Sequence, residues 1–253
     1  MKRELKALFF DFDGTIAETE RHGHRVAYQA AFDELGLGWT WDEALYGELL
    51  AVAGGKERIA AFVRERGAKL PDGADPRATI ERIHRLKGER FATLAPSIPL
   101  RPGVARLIRE AKSEGLRVAI VTTAAPEGVE ALLEGRSGLR AAIDLIAAGD
   151  IVPNKKPAPD IYRFALEALH FAPGEAIAIE DSALGLRAAL AAGVPTLITR
   201  SSYTLEDDFA GALAVVDDLG EPDAPARVVT GPAPSRGYVD LAYLRRITAR
   251  SGH

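Results

Sequence analysis

The sequence predicts an α/β protein: a parallel-sheet core whose first strand is cut off from the others by a helical insertion of about 80 residues. Three observations predict it. Residues 5–12 form a short apolar run rich in phenylalanine that ends in Asp13-Gly14-Thr15, the signature of a strand buried on both faces and closed by turn chemistry. Residues 18–97 read as helix upon helix, with no convincing strand. From Arg101-Pro102-Gly103 onward, helical periodicity alternates with short apolar runs, and alternation of that kind builds a parallel sheet.

In chain order, the insertion predicts helices over 21–35, 41–52, 56–66 and 76–94, with turns at Gly36-Leu37-Gly38 and Leu70-Pro71-Asp72-Gly73. The second half predicts helices over 104–113, 127–133, 159–169 and 184–191. Strands are predicted over 118–121, 145–148, 176–179, 196–199 and 213–216. The expected division is a core of 1–17 with 98–221, a cap of 18–97, and a proline-rich extension of 222–253. That tail, with Pro222, Pro225, Pro232 and Pro234, predicts an extended arm ending in a short helix near 239–247.

Composition narrows the function. A net charge of −4 argues against nucleic-acid binding, which needs lysine and arginine to neutralise phosphates. The N-terminal apolar run is too short to span a membrane and is broken by Asp11, so a cytoplasmic protein with no membrane partner is expected. With 253 residues the chain is expected to act as a monomer or weak homodimer. No cysteine is present, which excludes thiolate catalysis and cysteine metal sites. With five scattered histidines, any metal is expected on oxygen ligands.

Four strand ends carry chemistry. The first presents Asp11 and Asp13, whose i, i+2 spacing points both side chains the same way from an extended segment. Ligands of open α/β sheets gather outside the carboxyl ends of strands. The run 118–121 ends in Thr122 and Thr123, hydroxyl donors for an anion or caps for the next helix. Lys155-Lys156-Pro157 precedes a helix start, reading as an anion site or as a solvated lysine pair. The run 176–179 ends in Glu180 and Asp181, again carboxylates or caps. Four carboxylates at one sheet edge repel one another unless a cation sits among them, and an all-oxygen set suits Mg²⁺. With Mg²⁺ and Lys156 neutralising a phosphate monoester and Thr122 orienting it, Asp11 is the expected nucleophile and Asp13 the expected acid and base.

Asp11-Phe12-Asp13-Gly14-Thr15, Thr122, Lys156 and Glu180-Asp181, in that order, resemble the four motifs of haloacid-dehalogenase-like (HAD) phosphatases, over about residues 5–220. The resemblance implies a Rossmann-like core with an inserted four-helix cap that closes over substrate. It also implies that Asp11 is nucleophile and metal ligand, that Asp13 is acid/base with its carbonyl on the metal, and that Asp181, helped by Glu180, completes the metal site. Ala17-Glu18-Thr19-Glu20, Gly54-Gly55-Lys56-Glu57-Arg58-Ile59, Ala147-Ala148-Gly149-Asp150 and Lys155-Lys156-Pro157-Ala158-Pro159-Asp160-Ile161-Tyr162 look most like the CbbY-type phosphatases of xylulose 1,5-bisphosphate. Lys56 and Arg58, behind Gly54 and Gly55, read as a second anion site or as an ordinary surface helix. Lys87 shares a stripe with Ile83, Phe91 and Leu94, as a substrate contact or as a lysine snorkelling from an apolar face. Glu20 and Tyr46 fall on positions that resemble sugar contacts, or serve as hinge and cap packing. Related sugar-phosphate mutases usually carry a histidine where this chain has Gly23, flanked by His22 and His24, which points away from a mutase. The basic stretch from Gly135 to Arg140 matches no motif. The expected partner is a small phosphorylated sugar. Phosphoglycolate phosphatase and β-phosphoglucomutase-like activities are the alternatives, and a non-catalytic binding protein is the distant one.

Overall fold

The computed structural model describes residues 4–52, 54–136 and 138–249. Its strands are β1 (Ala7–Phe10), β2 (Arg117–Val121), β3 (Leu145–Ala147), β4 (Ala176–Glu180), β5 (Thr196–Thr199), β6 (Ala214–Val216) and β7 (Val228–Thr230). They form one sheet in the order β3-β2-β1-β4-β5-β6-β7, parallel throughout except for the β6–β7 pair. The helices are α1 (Arg25–Glu34), α2 (Glu43–Leu49), α3 (Gly55–Arg66), α4 (Pro76–Leu94), α5 (Val104–Ser113), α6 (Pro126–Leu133), α7 (Leu139–Ala142), α8 (Asp160–Leu169), α9 (Ala183–Ala191) and α10 (Leu241–Thr248).

Two compact units result. One gathers the chain up to Glu18, Pro99–Pro126, and the chain from Arg136 onward; the other gathers Thr19–Ile98 with Glu127–Gly135. The sequence placed 127–135 with the sheet. Gly128 shows why it groups elsewhere: a β-carbon there would stand 2.9 Å from Phe91 of α4, a close approach that only glycine allows.

In the sheet unit, β1 and β4 are buried at every position because helices cover both faces of a parallel sheet. Phe9 and Val121 pack with Ile161, Tyr162 and Ala165 of α8 and with Ala188 and Ala189 of α9. Because β1 lies between β2 and β4, the chain leaves it in one direction and returns on its other side, and this strand-order reversal opens a crevice beyond the carboxyl ends. Helix α9 starts where Ser182 accepts the Gly185 N–H at 3.1 Å, a side-chain cap at the mouth of that crevice.

The tail corrects the expectation of an extended arm. β7 extends the sheet as its antiparallel edge, and α10 begins where Asp240 accepts the Tyr243 N–H at 2.7 Å. Leu241, Tyr243, Leu244 and Ile247 are buried, each contributing roughly 1.5–3 kcal/mol of apolar burial. The Arg106 guanidinium lies 4.4 Å from the centre of the Tyr238 ring and donates to Glu221 at 3.1 Å, fastening the tail to α5. In the basic stretch, Ser137 lies outside the described residues; Gly138, at φ 84°, precedes α7, a short helix the sequence pattern did not indicate.

The other unit holds the expected four helices, preceded by a π-helical turn over Glu20–His24. Asp75 caps α4 and Pro76 opens it, a pairing legible in the sequence. Trp41 is the centre of the apolar packing, edge-on to Phe32 at 4.9 Å and to Phe62 at 5.3 Å. A β-carbon on Gly23 would stand 2.6 Å from Phe91 and 2.7 Å from Ile98, so no histidine fits there without repacking. Instead His24 stacks on Phe91 with ring centres 3.9 Å apart.

Candidate active site

The sheet delivers the predicted acidic groups to one place. Asp11 continues β1 by one residue, its N–H donating to Ile179 O at 2.9 Å, so its carboxyl emerges beside the end of β4, where Glu180 and Asp181 follow. Lys156 lies between them. Its ammonium donates to Asp11 Oδ1 at 2.6 Å, to Glu180 Oε1 at 2.6 Å and to Val121 O at 2.9 Å, using three donors on three acceptors. Lys155 pairs instead with Asp150 at 3.0 Å, so the lysine pair divides into one buried and one half-buried cation. Tyr162 of α8 donates its hydroxyl to the same Glu180 oxygen at 2.5 Å.

Glycines make room for these carboxylates. A β-carbon on Gly185 would stand 1.9 Å from Glu180 Oε2, and one on Gly14, at φ 82°, would stand 2.2 Å from Asp181 Oδ2. The Asp13-Gly14 turn therefore rests directly on Asp181. Asp13 is half-buried, and its charge raises the proton affinity of Asp11. Thr122 is buried at the end of β2, where its hydroxyl oxygen accepts the Ala124 N–H at 3.0 Å and keeps its own hydrogen for donation. Thr123 is half-buried next to it.

Burial dominates the electrostatics. It pushes Asp11 up from 3.8 to about 7, with the Lys156 charge opposing and Glu180 reinforcing. Asp181 is also held well above the ordinary carboxylate range by burial, then by Asp11 and Glu180, with Ser201 and Arg101 opposing. Burial pulls Lys156 down, but Asp11 and Glu180 outweigh it and the ammonium stays charged. Three carboxylates against one ammonium leave a deficit of positive charge. Asp11, Glu180 and Asp181 each place an oxygen so that all lie within 4.8 Å of one another, a hard-oxygen set that fits Mg²⁺.

A second polar cluster occupies the helical unit. Tyr46 donates its hydroxyl to Glu20 Oε2, and Arg58 donates to Tyr46 Oη at 3.3 Å and to Leu49 O at 3.2 Å. Tyr28 donates to Gly55 O at 3.3 Å, and the Lys87 ammonium lies 5.2 Å from the Tyr28 ring centre. Burial first, then the Glu20 charge, holds the Tyr46 phenol well above its usual range. Glu20, Tyr46, Gly55, Arg58 and Lys87 thus come together. Lys56 does not join them. Two residues along a helix turn the side chain by about 200°, so Arg58 is buried while Lys56 lies on the exposed face. There it lines a separate cavity of about 450 Å³ with Arg77 and Glu81.

Sequence reasoning singled out no role for Tyr162, Ser201 or Arg101. Tyr162 stood inside a quoted motif, but its hydroxyl gains meaning only once α8 is packed under β4. Arg101 stood at a domain boundary, and its partners lie far along the chain.

A haloacid dehalogenase-like hydrolase family model matches residues 5–193. The chain is 44% identical over 245 residues to the plasmid CbbY protein of Cupriavidus necator, covering 95% of this chain and 96% of that one. It is 32% identical over 216 residues to phosphoglycolate phosphatase of Rhodospirillum rubrum, covering 85% and 88%. Among solved structures, a mutant CbbY from Rhodobacter sphaeroides in complex with xylulose 1,5-bisphosphate aligns with a TM-score of 0.77 at 46% identity, covering 85% and 94%.

Proposed function

Because this chain belongs to the haloacid dehalogenase-like hydrolases and is a phosphatase, we propose that it hydrolyses a small phosphorylated sugar, preferentially xylulose 1,5-bisphosphate, through an aspartyl-phosphate on Asp11. The observation that carries the reading is the buried Lys156 ammonium, 2.6 Å from both Asp11 and Glu180 at the strand-order reversal. Lys156 holds Asp11 Oδ1, which leaves Oδ2 to attack phosphorus. As the ester bond breaks, Asp13 gives its proton to the leaving alcohol, and then takes one from the water that opens the acyl phosphate. Thr122 donates its hydroxyl hydrogen to a phosphoryl oxygen. Asp11, Glu180 and Asp181, with the Asp13 carbonyl, would hold Mg²⁺, which supplies neutralisation of phosphoryl charge.

The bisphosphate preference is supported by Arg58 and Lys87 in the helical unit, cations suited to a second phosphate, and by the CbbY relative crystallised with that ligand. The crowding at Gly23 supports hydrolysis over mutase chemistry, since a histidine there collides with Phe91 and Ile98. A phosphate-release screen tests the reading. Ketose 1,5-bisphosphates, sugar monophosphates and phosphoglycolate are compared, each with Mg²⁺ and with EDTA. The bisphosphate is expected to give the highest kcat/KM, and EDTA to abolish release. Phosphoglycolate leading the series, or glucose 1-phosphate isomerising when an activating bisphosphate is supplied, would replace this substrate assignment.

A further inference from the structure

The mechanism above gives Arg101 no role. It follows Leu100, which pairs antiparallel with Ala17, and its own N–H donates to Ile16 O at 2.9 Å. The side chain is 8% exposed, and Nε lies 3.6 Å from Glu18 Oε1. Nη1 donates to Gly14 O and to Thr199 O at 3.0 Å; Nη2 donates to Arg200 O at 2.6 Å and to Asp217 O. One planar cation thus collects carbonyls from the turn after β1, from the end of β5 and from the segment after β6. Gly14, Arg200 and Asp217 lie beyond the paired strands and Thr199 ends one, and buried carbonyls need donors from somewhere.

A purely structural plug would not need to touch Gly14. That carbonyl belongs to the residue after Asp13, and the Gly14 Cα is seated against Asp181, with Ser201 Cβ 3.0 Å from where a β-carbon would stand. Resting on the phosphatase reading for the role of Asp13, we infer that Arg101 is a positioning residue: through Gly14 O it holds the turn that carries Asp13 and keeps that turn on Asp181. A lysine brings one compact ammonium on a flexible stem, which cannot span four carbonyls in a plane.

The test uses the full chain with Arg101→Lys and Arg101→Ala, p-nitrophenyl phosphate as the probe, and amide hydrogen exchange. Exchange in both variants is expected to accelerate over residues 11–17 and to stay at wild-type protection in α8 and α9. A misplaced acid/base group lowers kcat on the order of 100-fold while KM stays within about threefold. Guanidinium ion added to Arg101→Ala is expected to restore part of the lost kcat, and methylammonium to restore none. A kcat for Arg101→Lys within about twofold of wild type would overturn the proposal. So would exchange that rises equally across the sheet unit, a failure of guanidinium to rescue, or failure of both variants to fold, since each assigns Arg101 to general stability. A wild-type protein that releases no phosphate from any ester sinks the phosphatase reading alone; the exchange measurement still decides whether Arg101 holds the turn.

Discussion

The two polar clusters of this chain differ in how charge is held and in construction. At the end of the sheet, Asp11, Glu180 and Asp181 surround the single ammonium of Lys156, each on or just beyond a strand whose position is set by parallel pairing. In the helical unit, Arg58 and Lys87 stand near the Glu20 carboxylate, over the Tyr46 and Tyr28 rings, and the Glu57 charge also reaches Tyr28. Carboxylates gather round a buried ammonium in the first cluster, and cations lie over aromatic rings in the second. The contrast teaches that strand ends and helix faces suit different arrangements of charge. Strand ends fix reacting carboxylates rigidly, whereas helix faces present long cationic side chains over aromatic surface.

Substitutions break the comparison most directly in the sheet cluster. Asp11→Asn is expected to lower kcat on the order of 10⁴-fold or more while circular dichroism shows a folded protein. Near-normal phosphate release would remove Asp11 as nucleophile. In the helical cluster the expected effect is smaller and falls on binding. Arg58→Ala raises KM for a bisphosphate about tenfold or more, with a lesser change for monophosphates. Lys56→Ala, on the other face of α3, is expected to leave that ratio close to wild type. Equal losses for both ester types in Arg58→Ala would end the second-phosphate assignment.

The smallest effect sharpens the charge contrast itself. Folding raises the Asp11 value from 3.8 to about 7, so the folded state binds this proton more tightly than the unfolded one. The penalty from this group is therefore absent below 3.8, grows as pH rises, and is complete above about 7. Asp181 shifts in the same direction. In EDTA the melting temperature should carry this loss toward alkaline pH. Saturating Mg²⁺ should raise Tm by on the order of 5 °C at pH 8 and by clearly less at pH 5. Thermal melts that respond to Mg²⁺ equally at both pH values would show that these carboxylates do not bind it.

Much of the fold was legible because its signals are local. Continuous apolar runs mark the buried strands, Asp75-Pro76 marks the start of α4, and the long amphipathic stripes mark the helical insertion. The placement of the candidate site residues was legible for the same reason: Asp11, Asp13, Thr122, Lys156, Glu180 and Asp181 each stand at or just beyond a strand end or shortly before a helix start, which directs them to one edge. β7 was not legible, since a three-residue strand among prolines carries little periodicity and exists only because β6 offers it an edge.

What the sequence determined by itself, then, was the order of the main strands and helices and the acidic strand ends. Tertiary structure alone decided the partners. It placed Arg58 inside and Lys56 outside, put the Tyr162 hydroxyl on Glu180, and brought Arg101 to Gly14, Thr199, Arg200 and Asp217. The physical reason is separation along the chain. Local pattern dictates which way a residue's own backbone turns, but a hydrogen bond between residues 14 and 101 exists only after the sheet has closed between them.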